Sequence, residues 1–545
     1  MQFRIKKRDG PGRIGEFTID KKPVVTPNIF SINTKRFKAP SFADVTLSNK
    51  DDLTKSDHLF VIKNALQLFQ RSKNFVEFIV EIKESIGYDK AVYLPAAGEP
   101  VNFALLTYMG IDLFDSTSAI MSARDGKLFF SDGKIDKNDL KELPCNCPSC
   151  NKFKGKPSEM KFDNILNHNY YIILNEIKNV RNAISNGRLR GLVEARVQND
   201  PHLISILRTL DRGYNSYLEK QTPVTSSSTL FATSKETFNR PEIKRFQDRV
   251  IHRYRKPKST KMLLLLPCSA KKPYSFSQSH KLFLEKINSS GNPSVIHEVI
   301  ITSPIGLVPR ELELVYPASN YDIPVTGVWD EDEKKMIRNL LKDYLKVNKY
   351  DKIISHLPEE IMSFTKDILK DAVKTCIDKT TSKKSLDNLS KNLNRIVKEY
   401  EKVKYQERKV EDILGLASYQ FDEKLAKKIL ENSTIKGKYP YQKIISNGKQ
   451  LGMIVKERGL ISLTLDGAKR IKDSKKYWIE IHDDFTLKGS VFAPGLKNCD
   501  ESIRIGDEVI VLRKKELVGV GVAMMNGEEM KKANYGETVK IRHHI

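Results

Sequence analysis

"MLLLLPCSAKKPYSFSQSHKLF", residues 262–283, sets an unbroken apolar run against a sudden cluster of reactive side chains. The run reads as a buried strand opening into a loop, the position where open α/β sheets place their ligands. Within a dozen residues of Cys268 come Lys272, Tyr274, Ser275, Ser277, Ser279 and His280. A lone cysteine is most simply a small buried hydrophobe. Here Lys271 and Lys272 favour the thiolate, and Pro267 and Pro273 stiffen the backbone on either side. The pattern points to Cys268 as a nucleophile. Lys272 or His280 would carry protons, and Tyr274 or Ser279 would orient the reacting groups.

Working outward, a second α/β unit starts at Met262 and continues through "SVIHEVIITSPIG" (294–306) and "YDKIISHLP" (350–358), with helical periodicity over 330–347 between them. The loop-rich stretch 302–333 combines Arg310, Tyr321, Asp322, Trp329 and Asp330. Its carboxylates suit an α-amino group and Arg310 a carboxylate, while for any one of these residues turn chemistry and surface pairing are the simpler account. Upstream, "KRFQDRVIHRYRKPKSTK" (244–261) follows the Ser/Thr-rich stretch 222–234 and reads as a basic linker, either feeding nucleic acid or simply solvated. Residues 1–215 alternate strands and helices. "KAVYLPAAG" and "MGIDLFDSTSA" are short strands with polar exits, and helical periodicity runs from His168 to Leu210. Beyond 400 come a small α+β unit and then short strands with Gly turns, a small β-barrel. The expected organisation is a multidomain α/β chain with boundaries at 1–240, 241–400, 401–473 and 474–545.

The chain has 545 residues, enough for several domains with their own cores. Lys and Arg number 93 against 68 Asp and Glu, a net charge of +25 and a pI near 9.5. Such an excess points to a polyanionic partner. No apolar run approaches the roughly 20 residues that span a bilayer, and the first residues lack an apolar leader. The expected location is cytoplasmic, with no membrane partner. Three of six cysteines cluster in "PCNCPSCNKFKGKPSEMKFDNILNHNYY" (144–171). Cys145, Cys147, Cys150 and His168 offer three sulfurs and one nitrogen. That set suits Zn2+ in a closed, structural tetrahedron.

This zinc loop resembles that of the tRNA-guanine transglycosylases, as do "GPGRIGEF" (10–17), "LPAAGEP" (94–100) and "GIDLFDSTSAIMSARDGKLFF" (110–130). The resemblance implies a shortened (β/α) barrel of that type, with Asp115 where the family nucleophile sits and Gly98 in the substrate pocket. The family's Asp-Ser-Gly acid/base segment is absent: the chain passes from "TPNIFSINTKRF" (26–37) to "YLPAAG" (93–98) without it. Base exchange then lacks its second carboxylate, and the barrel reads as a binding scaffold. "PCSAKKPYSFSQSH" (267–280) resembles the signature of the archaeosine synthase family. That likeness implies action on the nitrile of 7-cyano-7-deazaguanine in the D-arm of archaeal tRNA. It further implies addition of an amine donor such as free lysine, through a Cys268 thioimidate, to give an amidine. A radical S-adenosylmethionine partner enzyme would then cleave the lysine adduct. Residues 485–545 resemble a PUA domain, which binds structured RNA; Lys488, Arg504, Lys540 and Arg542 suit phosphate contacts. Residues 458–471 resemble the small domain preceding it in archaeal transglycosylases. An active transglycosylase and a non-catalytic tRNA-binding protein are the competing readings, and a homodimer stays open.

Overall fold

The computed structural model describes residues 3–19, 22–33, 38–43, 45–47 and 58–545. The end of the "TPNIFSINTKRF" stretch, residues 34–37, lies outside the described residues. The chain divides into two compact units. One holds Met1–Pro223 with Phe492–Pro494 and Met525–Thr538; the other holds Val224–Val491 with Gly495–Met524 and Val539–Ile545.

The first unit is built on a parallel sheet of five short strands, in the order Thr46–Leu47, Asn28–Ile32, Leu113–Asp115, Ala91–Tyr93, Leu59–Val61. Both expected strands are present, and every residue of Ala91–Tyr93 and Leu113–Asp115 is buried. Burial on both faces is why these strands read as apolar runs rather than alternating patterns. Helices supply the other layer, led by Phe162–Ser185, which buries Ile165, Tyr170, Ile173, Ile177, Val180 and Ile184 at helical spacing. Asp200 caps Pro201–Gly213 by accepting from the His202 N–H at 2.8 Å. The "GPGRIGEF" segment is structural: Arg13 grips both carboxylate oxygens of buried Asp112 at 2.8 Å and the Tyr88 carbonyl at 2.6 Å. Asp112 in turn accepts from the Val92 N–H at 2.9 Å, tying the segment to the sheet.

In the second unit, Met262–Pro267 is the central strand of a five-stranded sheet. Ile296–Thr302 lies parallel on one side and Lys352–Ser355 on the other. Gly306–Pro309 adds an antiparallel edge and Val373–Lys374 a parallel one. The chain therefore leaves the central strand towards one flank and later returns to the other. This topological switch point opens a crevice at the strand's carboxyl end, where Cys268 begins the loop.

The basic stretch expected as a linker is a packed helix, Pro241–His252. Ile243, Phe246, Val250 and Ile251 enter the core, and the Phe246 ring centroid lies 5.5 Å from that of Tyr419. Tyr254 is fully buried, its hydroxyl 3.0 Å from Nε2 of His297. Ile243, Phe246 and Val250, spaced three and four apart, form one helix face, which is why this basic stretch packs into the core.

Two helices, Tyr405–Gln420 and Glu423–Leu430, precede a four-stranded antiparallel sheet spanning Thr434 to Leu463. The C-terminal strands form a six-stranded sheet that includes Glu508–Arg513, Glu516–Ala523 and Glu537–His544. Among the described residues, no helix is long and apolar enough to cross a membrane.

Candidate functional site

Cys268 is half-buried at the end of the central strand, against the core of the second unit. The loop after it returns through a short turn at Tyr274–Phe276 into the helix Gln278–Asn288. Ser277 caps that helix, accepting from the His280 N–H at 3.2 Å; Ser279 sits in the first turn with its hydroxyl 3.3 Å from that of Ser277. The cap swings His280 back beneath the strand end. Its Nε2 lies 3.0 Å from the Pro267 carbonyl, and Nδ1 lies 2.9 Å from a guanidinium nitrogen of Arg310. A carbonyl only accepts, so Nε2 carries the hydrogen and Nδ1 receives the Arg310 N–H. Burial and the neighbouring guanidinium lower the imidazole to about 3. His280 is thus a neutral strut with both ring nitrogens engaged, not the free acid or base expected of it.

Arg310 is held as firmly. Its Nε donates to Glu298 at 3.0 Å and another nitrogen to Glu313 at 2.9 Å. Glu313 also accepts from the Ser275 N–H at 2.9 Å and the Tyr439 hydroxyl at 2.6 Å. A guanidinium already matched to two carboxylates and an imidazole is a positioning group, which displaces the expectation that it would hold a substrate carboxylate. On the other side of the loop, the Lys272 ammonium stands 4.0 Å from the centroid of the Tyr321 ring. Burial lowers this lysine below its ordinary value, against the opposing pull of Cys268 and Asp322. The Tyr321 hydroxyl is 2.8 Å from that of buried Tyr274 and also bonds to Thr302. Burial pushes both phenols up, so they remain protonated.

The structure thus gathers Cys268, Lys272, Tyr274, Tyr321, Thr302 and Asp322 at the crevice, with His280 and Arg310 as its support. Thr302, Glu298 and Glu313 were not singled out in the sequence. Thr302 ends the strand next to the Cys268 strand, and that strand-end position was its one available signal. Asp330 is elsewhere employed, capping the helix Glu331–Val347 through the Glu333 N–H at 2.9 Å.

In the first unit, Asp115 ends its strand fully buried. One oxygen accepts from the Tyr93 hydroxyl at 2.6 Å; the other accepts from the Thr117 N–H at 2.8 Å and the Ala96 N–H at 3.2 Å. Burial and the carboxylate together push the Tyr93 phenol up. Gly98 is explained by packing: a Cβ there would lie 2.6 Å from Phe103 and 3.1 Å from Phe114, and its carbonyl accepts from Ser118.

Cys145, Cys147, Cys150 and His168 place their ligand atoms within 4.8 Å of one another. Cys147 and Cys150 sulfurs lie 3.5 and 3.3 Å from Nδ1 of His168. His168 Nε2 is 2.8 Å from the Phe129 carbonyl, which leaves the Nδ1 lone pair facing the thiols. Asn169 accepts from the Phe129 N–H at 2.8 Å, so the His-Asn pair pins the long helix to this strand. Three soft sulfurs and a correctly tautomerised imidazole could hold a tetrahedral metal ion with no open position.

Of the basic residues expected to meet RNA, Lys488 and Lys540 are exposed. Arg504 donates to the Ser502 carbonyl at 3.0 Å. Arg542 instead bonds to the fully buried carboxylate of Glu508, which it shares with Arg458, the latter at 3.1 Å. That pairing makes Arg542 part of the fold.

Four family models match the chain. They are Queuine tRNA-ribosyltransferase over 42–202, Domain of unknown function (DUF5591) over 243–393, Patch-forming domain C2 of tRNA-guanine transglycosylase over 411–477, and PUA domain over 484–545. An archaeosine synthase of Haloferax volcanii is 37% identical, covering 94% of this chain and 86% of its own. An archaeosine synthase subunit alpha of Methanosarcina acetivorans is 36% identical, over 91% and 81% of the two chains. A tRNA-guanine(15) transglycosylase of Methanobrevibacter smithii is 29% identical over 92% and 74%.

Proposed function

The chain belongs to the archaeosine synthase family, and from that premise we propose that it converts a nitrile already carried by tRNA into an amidine. The substrate is 7-cyano-7-deazaguanine in the D-arm. The observation that carries the reading is the thiol of Cys268 at the switch-point crevice beside the Lys272 ammonium. The thiolate adds to the nitrile carbon; a carbon–sulfur bond forms, one C–N π pair moves onto nitrogen, and that nitrogen takes a proton from Lys272. The product is a thioimidate. An amine, free lysine in this reading, then attacks the same carbon. The tetrahedral adduct collapses with loss of the thiolate, and the nitrogen's extra proton returns to Lys272. Net, nitrile and amine combine into a substituted amidine. Tyr321 and Tyr274, kept protonated by burial, donate hydrogen bonds at the crevice. The lysine adduct would pass to a radical S-adenosylmethionine partner for cleavage.

Zn2+ fits the Cys145, Cys147, Cys150 and His168 set, and its contribution there is structural cross-linking of loop to helix. The PUA region and the net charge of +25 support tRNA as the partner, in the cytoplasm. Base exchange is the less supported reading, because the Asp115 carboxylate is fully buried and already accepts three donors. The test is incubation with nitrile-bearing tRNA and labelled lysine, followed by nucleoside mass analysis. A lysine adduct is expected. Incorporation of labelled base into unmodified tRNA, with no adduct, would overturn the proposal.

A further inference from the structure

The Lys272 ammonium is half-buried, yet no carboxylate holds it. Among the described residues its one close partner is the Tyr321 ring, whose centroid lies 4.0 Å away. The groups that act on it by charge are Cys268 and Asp322. Asp322 is exposed, and one of its oxygens accepts from the Ile323 N–H at 2.9 Å; it makes no ion pair with Lys272. Lys271, next in the loop, is exposed as well.

The ring itself is fixed. Tyr321 is almost wholly buried, and its hydroxyl is already engaged. Thr302 donates to the Ser303 carbonyl at 3.2 Å, which leaves the Thr302 oxygen to accept from Tyr321. The Tyr321 oxygen then accepts from Tyr274, 2.8 Å away. Thr302 ends the strand paired with that of Cys268, and Tyr274 follows Lys272 in the loop, so the ring is tied to both sides of the crevice.

A carboxylate in place of this ring would neutralise the ammonium, raise it and keep the proton on nitrogen. An aromatic face attracts the cation through its quadrupole but takes up neither its charge nor its proton. Burial is then left to lower the lysine, and the whole positive charge stays available to a thiolate at Cys268.

We propose that Tyr321 is a positioning residue whose ring face anchors the Lys272 ammonium beside Cys268 without neutralising it. One lysine then both favours the thiolate and carries the proton of the nitrile nitrogen. The second of these roles rests on the reading of the protein as an amine-transferring enzyme; the anchoring does not.

The test compares Tyr321→Phe with the same position carrying a trifluorinated phenylalanine, in the full chain, each with Lys272 and with Lys272→Gln. Neither ring has a hydroxyl, and fluorination strips the face of its negative potential with little change of shape. The readout is the rate of Cys268 alkylation by iodoacetamide against pH, with melting curves to show that each chain is folded. With Lys272 present, fluorination is expected to raise the alkylation midpoint by roughly 0.5 pH unit. With Lys272→Gln it should move nothing. In lysine transfer to nitrile-bearing tRNA, fluorination should lower kcat about threefold at unchanged KM for tRNA. No shift with Lys272 present, or the same shift with Lys272→Gln, overturns the anchor. Lysine transfer alongside fluorination-insensitive alkylation overturns the anchor and leaves amine transfer standing. Fluorination-sensitive alkylation without any lysine adduct supports the anchor and removes amine transfer. Lys272→Gln in the otherwise native chain needs no buried substitution: it should raise the alkylation midpoint, and an unchanged midpoint overturns the proposal.

Discussion

Asp115 and Cys268 occupy equivalent places in two sheets, each at the carboxyl end of a buried parallel strand, yet their surroundings differ in kind. Asp115 is fully buried and its two oxygens accept from Tyr93, Ala96 and Thr117. Cys268 is half-buried, with its neighbours' bonds directed at one another: His280 to Pro267 and Arg310, Tyr274 to Tyr321. A carboxylate saturated with hydrogen bonds is a poor nucleophile, because attack would break those bonds first. A thiol left free among fixed partners is ready to react. Strand-end position alone therefore does not make a catalytic residue; the state of its hydrogen bonds decides.

The comparison breaks most readily at Cys268. Cys268→Ala is expected to lower lysine-adduct formation on the order of a thousandfold or more, measured by nucleoside mass analysis. Retained activity would place the chemistry elsewhere. On the other strand end, the unit carrying Asp115 is expected to depend on its metal for stability. Chelation should lower the melting temperature by roughly 5 °C or more, with one zinc per chain recovered by elemental analysis beforehand. Asp115→Asn turns an acceptor into a donor against three donors, so it should cost ~1–3 kcal/mol in denaturant unfolding. Adduct formation at saturating substrate should stay within about twofold of wild type. A large loss there, with stability intact, would make Asp115 functional after all.

A finer test concerns His280. Its folded value of about 3 lies below the ordinary 6.5, so the unfolded chain binds a proton that the folded chain refuses. Stability is complete above about 6.5 and falls as pH drops towards 3. His280→Asn should remove that part of the pH dependence of melting. It should also leave the pH–rate profile without a lost inflection, since a neutral strut contributes none. The smallest effect belongs to neither strand end. Lys488→Glu with Lys540→Glu should weaken tRNA binding by about three- to tenfold and reduce its salt dependence by about 0.7–0.9 per residue. Unchanged affinity would move the RNA contact off these residues.

Much of this was legible without coordinates. Buried strands announce themselves as apolar runs, and the Cys-x-Cys-x2-Cys loop with its following His declares a ligand set by spacing alone, because both depend on local sequence. The return of His280 under the strand, through the Ser277 cap, came only with the fold. Its chemical role was misjudged, because the groups that bind its two nitrogens come from residues 267 and 310. The stretch 244–261 reads as basic when counted and as core when folded, since composition does not say which helix face is covered.

The sequence by itself thus pointed to the buried strands, the candidate metal ligands and the candidate nucleophile, all properties of neighbouring residues. Only the tertiary structure decided which polar groups are already spent. Asp115, His280 and Arg310 are matched by partners that include Tyr93, Pro267 and Glu298, from other elements, whereas Cys268 lies half-buried and Lys272 rests over the Tyr321 ring. The reason is physical: a side chain's reactivity is set by desolvation and by donors and acceptors within about 3 Å, and folding brings those from anywhere in the chain.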